Sequence, residues 1–597
     1  MAKKKTFVVD NTDPSETFPD DLSTKLRKLI IRNFGCIGTT PVEVDLDDIV
    51  VLVGTNNAGK STILRAYRML FSSADPKLSI SDFPNQIVDS DALPEIELHT
   101  AVGQNPPGHR WIADVDGENT IRERWQWSGP DEKAKRQGFD VLQNSWSDKV
   151  PWGAPNIANS RRPKSIRVEA FSDPEKESKI VVKLLKELIQ AKVEEMPEET
   201  VDEFGVTRRT DYGNLLDSLA SIQTAVVRNV EDKISDAETH MTKFTEGIFP
   251  GYRVQFDARS EESLTDCLNF FKAEPQLRMG PVDGHLSTAD RQGSGARRTL
   301  MWSALRYAAE FKGEAEAKSQ FLLLLDEPEL CLHPNAIREA CRVLYDLPQT
   351  GRWQVMLTTH SPIFIDLSRN NTTVVRVGRN PASDTVTGTT VFRPTKVALS
   401  EDDKELLKTL NAFDPYVAEF FFGGKTVIVE GDTEYTAFKY LISCFPDDAM
   451  LRDLHIVRAR GKPTICLLTR ILNQYNARYA VLHDADTPEI TRKDGKTMVN
   501  PAWSNNQKIR ESIGLRLDRG EVRLVGLITN FEQAFFGELA TGEKPYNAWH
   551  HLKDDSETTG RVKRLLEALI DFDKPLPPRA VDWNNLDELR DTVNKAE

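Results

Sequence analysis

Residues 49–64 read IVVLVGTNNAGKSTIL: five apolar residues, a loop framed by glycines, and the opening of a helical pattern. An unbroken apolar run of this length predicts a strand buried on both faces, as in a parallel sheet lying between helical layers. The adjoining loop has the spacing GxxxxGKS, with Gly54, Gly59, Lys60 and Ser61 at the fixed positions. A strand that ends in a loop with little side-chain bulk and then opens a helix turns backbone N–H groups toward one point, where phosphate oxygens fit. Lys60 is expected to meet β- and γ-phosphate charge and Ser61 to reach a magnesium ion, with Asn57 and Thr62 completing the loop.

A second buried strand, FLLLLDEPEL at 321–330, ends in Asp326 and Glu327. Two carboxylates at the end of an apolar strand need a cation, because buried charge without one is costly. Asp326 is expected to hold magnesium through water and Glu327 to polarise an attacking water. MLTTHSP at 356–362 places His360 after a third apolar run, where it can sense a γ-phosphate.

Outward from these strands, the chain has 597 residues, 39% apolar and 28% charged, which predicts two to four domains and excludes collagen-like or wholly disordered polymers. The net charge of −14 excludes a generally basic nucleic-acid coat but not a local basic channel. Six scattered cysteines show neither a disulfide framework nor zinc spacing, which predicts a reducing, cytoplasmic setting. No apolar stretch approaches membrane-spanning length, so no membrane partner is expected. The expected division is a disordered tail over 1–22, a nucleotide-binding α/β domain over 23–397 with a helical insertion at about 174–248, and a second α/β domain over 398–597 with a helical C-terminal extension.

In that second domain the strand of TVIVEGDTEY (426–435) delivers Glu430 and then Glu434. AVLHDADTPE (480–489) delivers Asp484 and Asp486, and LVGLITNFE (524–532) delivers Glu532. Carboxylates at the C-terminal ends of parallel strands face one crevice, and like charge gathered there demands metal. Oxygen ligands without cysteine select magnesium or manganese, and two such ions roughly 4 Å apart serve phosphodiester displacement. Gly461 and Lys462, with Arg458 and Arg460, are expected to add positive charge for a DNA backbone.

The P-loop, DEPEL, LHP (332–334) and TTHSP together resemble the ABC-type ATPase heads of the RecF and SMC group. There, a signature segment of one head completes the ATP site of another; RQGSGARR at 291–298, with Ser294 and Gly295, stands in its place, which implies a homo-oligomer, a dimer or higher. EG…E, DxD and NFE resemble the Toprim fold. FFGGKTVIVEGDTEY after such a head resembles the overcoming lysogenization defect (OLD) family of ATPase–Toprim nucleases over roughly residues 25 to 565. By position, the resemblance implies metal ligation by Glu430, Glu434, Asp484, Asp486 and Glu532, with Lys563 near the scissile phosphate and Lys553 and Lys544 as competitors. It further implies ATP-linked DNA cleavage in antiphage defence, beside a separately encoded helicase or reverse transcriptase element. The competing expectations are an ATP-driven clamp or scaffold and a topoisomerase- or primase-like enzyme.

Overall fold

The unbroken apolar runs and the alternating runs build two different sheets in the N-terminal half. A computed structural model describes residues 24–71, 76–103, 106–153, 158, 161–169, 173–194, 199–201, 207–209, 219–257, 275–310, 320–380, 385–393, 399–474, 477–491, 497–537 and 543–596. The tail over 1–22 and the boundary near 397 fall outside them.

In chain order come β1 (Lys25–Arg32), β2 (Val42–Asp45), β3 (Ile49–Val53), α1 (Lys60–Phe71), β4 (Glu95–Ala101), β5 (Ala113–Val115), β6 (Glu118–Gln126), β7 (Lys135–Asp140), β8 (Ser145–Ser147) and β9 (Lys164–Val168). The insertion comes next as α2 (Pro174–Glu194), a small hairpin of β10 (Glu199–Val201) and β11 (Thr207–Arg209), and α3 (Leu219–Glu246). Then come β12 (Tyr252–Asp257), β13 (Gln276–Pro281), β14 (Ser287–Thr288), α4 (Ser294–Glu310), β15 (Phe321–Asp326), α5 (Pro334–Asp346), β16 (Trp353–Thr358), β17 (Thr372–Asn380) and β18 (Thr385–Phe392).

The central sheet runs β18-β17-β3-β16-β15-β9, parallel except for β18. Its strands alternate between two cores: Val50, Leu52, Leu322 and Leu324 pack with α1 and the antiparallel sheet β2-β1-β4-β6-β7-β8, while Ile49, Val51, Leu323 and Leu325 pack with α2 to α5. Burial on both faces is why these strands carry no polar alternation. Register aligns Thr358 with both Leu52 and Asp326, so the ends of β3, β15 and β16 lie side by side.

The second half begins with α6 (Glu401–Phe413), started by a reciprocal cap in which Asp403 N–H donates to Ser400 Oγ and Ser400 N–H to the Asp403 carboxylate. A 3₁₀ segment, Pro415–Phe422, leads to β19 (Lys425–Val429), α7 (Asp432–Cys444), β20 (Leu454–Arg458), α8 (Lys462–Asn473), β21 (Tyr479–Asp484), a hairpin of β22 (Glu489–Thr491) and β23 (Thr497–Val499), α9 (Pro501–Ile513), α10 (Leu515–Asp518) and β24 (Val522–Leu527). The chain closes with α11 (Phe531–Phe535), α12 (Lys544–Asp554), α13 (Ser556–Ile570), β25 (Ala580–Asp582) and α14 (Leu586–Ala596).

Strand order is β20-β19-β21-β24-β25, the first four parallel and β25 antiparallel. The extension, read from sequence as helical, therefore also adds a strand. The halves are not separate globules: Phe420 and Phe421 of the 3₁₀ segment, Ile428 and Val457 belong to the same apolar core as β15 and β16.

Candidate functional site

Two strand-end crevices carry the chemistry. In the first, a cavity of about 760 Å³ is lined by Asn56, Asn57, Gly59, Lys60, Ser61 and Thr62 of the loop and by Cys36, Glu327, Glu329 and His360, a size suited to a small ligand. Gly54 has φ +144, and a Cβ there would lie 2.1 Å from the Val377 carbonyl oxygen, so only glycine lets the loop leave β3. Lys60 Nζ donates to the carbonyls of Gly54 (3.0 Å) and Thr55 (2.9 Å) and to His360 Nε2 (3.0 Å). An ammonium has no acceptor, so Nε2 accepts and His360 is neutral; burial first and Lys60 second hold its pKa below the ordinary value.

Asp326 Oδ1 accepts from Ser61 Oγ (2.9 Å) and Thr358 Oγ1 (2.6 Å), joining the three strand ends around one carboxylate. Glu327 has left-handed backbone (φ 47), held by its N–H donating to the Thr358 carbonyl (3.1 Å) and hydroxyl (3.0 Å). Backbone strain so over-determined aims its side chain into the cavity, 3.5 Å from His360. Glu329, which sequence reasoning passed over, is held by the Thr359 hydroxyl (2.9 Å) and the His360 N–H (2.7 Å), and burial raises its pKa. It ties the DEPEL turn to the TTHSP turn.

In the second crevice Glu430 directly follows β19, Asp484 ends β21, Asp486 lies two residues beyond it, Glu434 lies on the first turn of α7, and Glu532 on α11 after β24. Asp484 N–H donates to Glu430 Oε2 (3.1 Å), and Phe531 N–H, at the start of α11, donates to Asp484 Oδ1 (3.0 Å). A Cβ at Gly431 would stand 2.9 Å from Glu434 Oε2, so the carboxylate packs directly against this backbone. Thr433 Oγ1 donates to Glu532 Oε1 (3.1 Å).

Charge is unbalanced here. Glu434 and Glu532 are 3% and 4% exposed. Burial, then repulsion from Glu430 and Glu532, lifts Glu434 to about 7. Burial and its four carboxylate neighbours push Asp484 well above the usual carboxylate range, and burial raises Glu430. Against these five acids stand, among the described residues, the ammonium groups of Lys462, buried and bonded to Asp486, and Lys544, 3.3 Å from Glu532.

An oxygen-only donor set with surplus negative charge fits hard divalent cations. Among the described residues no group of three His, Cys, Asp or Glu side chains is placed to hold an ion as it stands. The fit is therefore one of donor chemistry and charge.

Residues 25–121 and 130–365 match the AAA ATPase domain family, together more than half of the chain, and residues 421–486 match the overcoming lysogenization defect protein-like TOPRIM domain. The Old nuclease of Escherichia phage P2 is 25% identical over 605 residues, covering 95% of this chain and 95% of that relative. The OLD nuclease of Thermus scotoductus is 23% identical over 564 residues, covering 92% and 99%. The chain belongs to the AAA ATPase domain family and carries an OLD-like TOPRIM domain.

A solved Smc head domain with an extended coiled coil, bound to the C-terminal domain of ScpA and derived from Pyrococcus furiosus, covers 65% of this chain and 99% of its own, at 12% identity and TM-score 0.36.

Some expected site residues of this chain are not brought in. Lys563 pairs with Asp448 (3.0 Å) and Glu567 (3.7 Å) and lies 4.1 Å from the Phe445 ring centroid, so its ammonium is spent on the outer face of α13. Of its two competitors, Lys544 meets the site carboxylate Glu532 at 3.3 Å, while Lys553 lies 5.1 Å from the Trp549 ring centroid. Arg458 is committed to Asp414 and Asp432, and Lys462 points at Asp486 rather than to solvent. Arg460 is exposed.

Ser294 and Gly295 open α4 and are not among the residues lining their own chain's cavity. Also missed was His483, whose Nε2 accepts from Trp583 Nε1 (2.9 Å) while its Nδ1 is 2.8 Å from the Asp484 carbonyl. This lock on the DAD turn comes from the extension, 100 residues away.

Proposed function

We propose that this protein is a metal-dependent DNA endonuclease or nickase whose Toprim crevice is governed by nucleotide in the ATPase head. The observation that carries this reading is the second crevice: five carboxylates from three neighbouring strand ends, rimmed by Lys462 and Lys544 and surplus in negative charge. Divalent ions, magnesium or manganese, held by Glu430, Glu434, Asp484, Asp486 and Glu532 would activate water and steady the leaving oxygen. The protein's own work is to aim these oxygens: Phe531 N–H and the His483–Trp583 pair orient Asp484 and its turn, and Thr433 orients Glu532. Lys544 is the cation at the rim best placed to meet a phosphate oxygen.

In the head, Gly54, Asn57, Gly59, Lys60, Ser61 and Thr62 would bind ATP with magnesium at Ser61 and Asp326, Glu327 would orient the attacking water, and His360 would report the γ-phosphate. Regulation by nucleotide is supported by a contact between the halves. The His360 ring stacks on Phe422 (centroids 6.5 Å apart, planes at 20°), and Gly423 and Gly424 then lead into β19, which Glu430 directly follows. Movement of His360 against phosphate would thus reach the nuclease strand through two residues.

Homo-oligomerisation, at least a dimer, is supported by Ser294 and Gly295 standing apart from their own cavity, free to face the cavity of a second head, with α2 and α3 as a further contact. No helix among the described residues is long and apolar enough to cross a membrane, in keeping with work on DNA in the cytoplasm. A role in antiphage defence beside a separately encoded helicase or reverse transcriptase element rests on the family resemblance.

The deciding experiment incubates supercoiled plasmid with magnesium or manganese at several ATP concentrations, using wild type, Asp484→Ala and Lys60→Ala. Nicking by wild type alone or with Lys60→Ala, and none by Asp484→Ala, is expected. Equal products from Asp484→Ala would leave a nucleotide-driven scaffold as the better reading.

A further inference from the structure

Helix α12 leaves the carboxylate crevice with a face its own packing does not use. Its buried side is Ala548 and Leu552, turned toward α7 and α13. A second stripe carries Tyr546, Trp549, His550 and Lys553 at i, i+3, i+4 and i+7, the spacing that sets side chains above one another. On it the Tyr546 and Trp549 rings stack (centroids 6.0 Å, planes at 29°), and His550 stands edge-on to both at 4.6 and 4.8 Å. Lys553 Nζ lies 5.1 Å from the Trp549 ring centroid, and Tyr440 of α7 supports Trp549 from behind, edge-on at 6.4 Å. Tyr546 is nonetheless 56% exposed. Held in place by its neighbours, the ring is ordered before any planar ligand arrives.

The stripe begins at the crevice. Lys544, the first residue of α12, sits 3.3 Å from Glu532, and His551 stacks on Phe536, which comes directly after α11, with centroids 4.7 Å apart and planes at 14°. From Tyr546 to Lys553 the helix rises about 10 Å, roughly three steps of a stacked nucleic-acid strand at 3.4 Å each. Ordered aromatic faces interleaved with ammonium groups are how proteins hold single strands, because every base has a face to stack and every phosphate a charge to meet. Paired bases hide their faces, so the occupant has unpaired bases. Asp554, 3.9 Å from His550 Nδ1, offsets part of the charge at the far end, so the ammonium groups of Lys544 at the near end and Lys553 at the far end carry the positive charge.

We propose that Tyr546, Trp549 and Lys553 form a stacking platform that holds unpaired DNA bases flanking the scissile phosphate, so that strands with single-stranded or melted segments are preferred over intact duplex. This rests on the nuclease reading for the word scissile, but the platform is testable without cleavage. A protein partner on the same stripe is the competing occupant.

The test measures fluorescence anisotropy of labelled oligothymidylate and of a blunt duplex of equal length, with full-length protein in EDTA. Wild type is expected to bind the single strand more tightly. Tyr546→Ala should weaken that binding about tenfold and leave duplex binding unchanged. Tyr546→Phe should restore it, and Lys553→Ala should flatten the salt dependence by about one unit. Because Trp549 packs on Tyr440, its removal could disturb α12, so the exposed Tyr546 carries the test. Single-strand binding no tighter than duplex, or unchanged in Tyr546→Ala, overturns the platform and leaves the stripe to a protein. Plasmid nicking run in parallel separates the two readings. No nicking by wild type, with strand binding still lost in Tyr546→Ala, would remove the nuclease reading and keep the platform.

Discussion

The two crevices are alike in origin and opposite in electrostatics. Both lie where parallel strands end, and both begin with acids after apolar runs. In the head, Asp326 is supplied with donors: the Ser61 and Thr358 hydroxyls bond it. Burial lowers the Lys60 pKa, and the charges of Glu327 and then Asp326 oppose that shift without reversing it. In the Toprim crevice the acids face each other, and Glu434, Asp484 and Glu430 are all pushed toward protonation. A carboxylate supplied with donors is organised before its ligand arrives. A carboxylate surrounded by carboxylates stores repulsion that only an added cation relieves.

The sharpest test of this contrast is to delete one acid from the repelling set. Asp484→Ala should lower DNA cleavage on the order of a thousandfold or more, since misplacing one oxygen disturbs both water and leaving group. ATP hydrolysis, measured by phosphate release, should persist. Loss of both activities together would mean that the crevices are one machine.

In the donor-rich set the matching change is Glu327→Gln. It should slow hydrolysis by about a hundredfold or more with nucleotide binding intact, whereas Lys60→Ala should lose binding, both read by calorimetry and phosphate release. Hydrolysis at the normal rate in Glu327→Gln would remove it as the residue that works on water.

Acidity separates the crevices next. Glu434 is held at about 7 against an ordinary 4.5. A folded-state pKa above the unfolded value means the folded protein binds that proton more tightly. Stability from this group is therefore full below the unfolded value, declines as pH rises through about 7, and is level beyond. At 1.36 kcal/mol per unit the loss is of the order of 3 kcal/mol. In EDTA the melting temperature should fall over this window, and the increment from added manganese should grow with pH. Glu434→Gln should flatten both slopes; an increment independent of pH in wild type would contradict the repulsion account.

Of the two lysines, Lys544→Ala should slow cleavage about tenfold, the worth of one charge-assisted contact. Lys563→Ala should change it less than about twofold, as an ion pair on the outside of a helix contributes little. The reverse order would return the late-lysine role to α13.

The smallest effect concerns the link between crevices. Phe422→Ala should leave cleavage and hydrolysis each within about threefold, since it costs one aromatic stack, but should remove the dependence of cleavage on ATP. An unchanged ATP dependence would break the proposed connection.

The nucleotide loop, the acidic strand ends and the order of the two α/β units were legible in the sequence because each is local. Apolar strands buried on both faces announce themselves, and each strand aims the residues at its C-terminal end, as register between β3, β16 and β15 shows. Gly54 was readable from the loop spacing, although the obstacle to a side chain there, the Val377 carbonyl of β17, is far away in the chain.

Which lysine meets the acids was not legible. On amphipathic helices a lysine's partner depends on how the helix is rotated and what it packs against: α12 turns Lys544 to Glu532, while α13 turns Lys563 to Asp448. Nor could the pattern reveal that His483 is locked by Trp583, that β25 closes the sheet, or that His360 rests on Phe422. Strand chemistry is written in nearest neighbours along the chain, and so the sequence by itself determined the two crevices and their acids. The cations, the locks and the contact between the halves join residues far apart in the chain, and only packing around a shared core decided them.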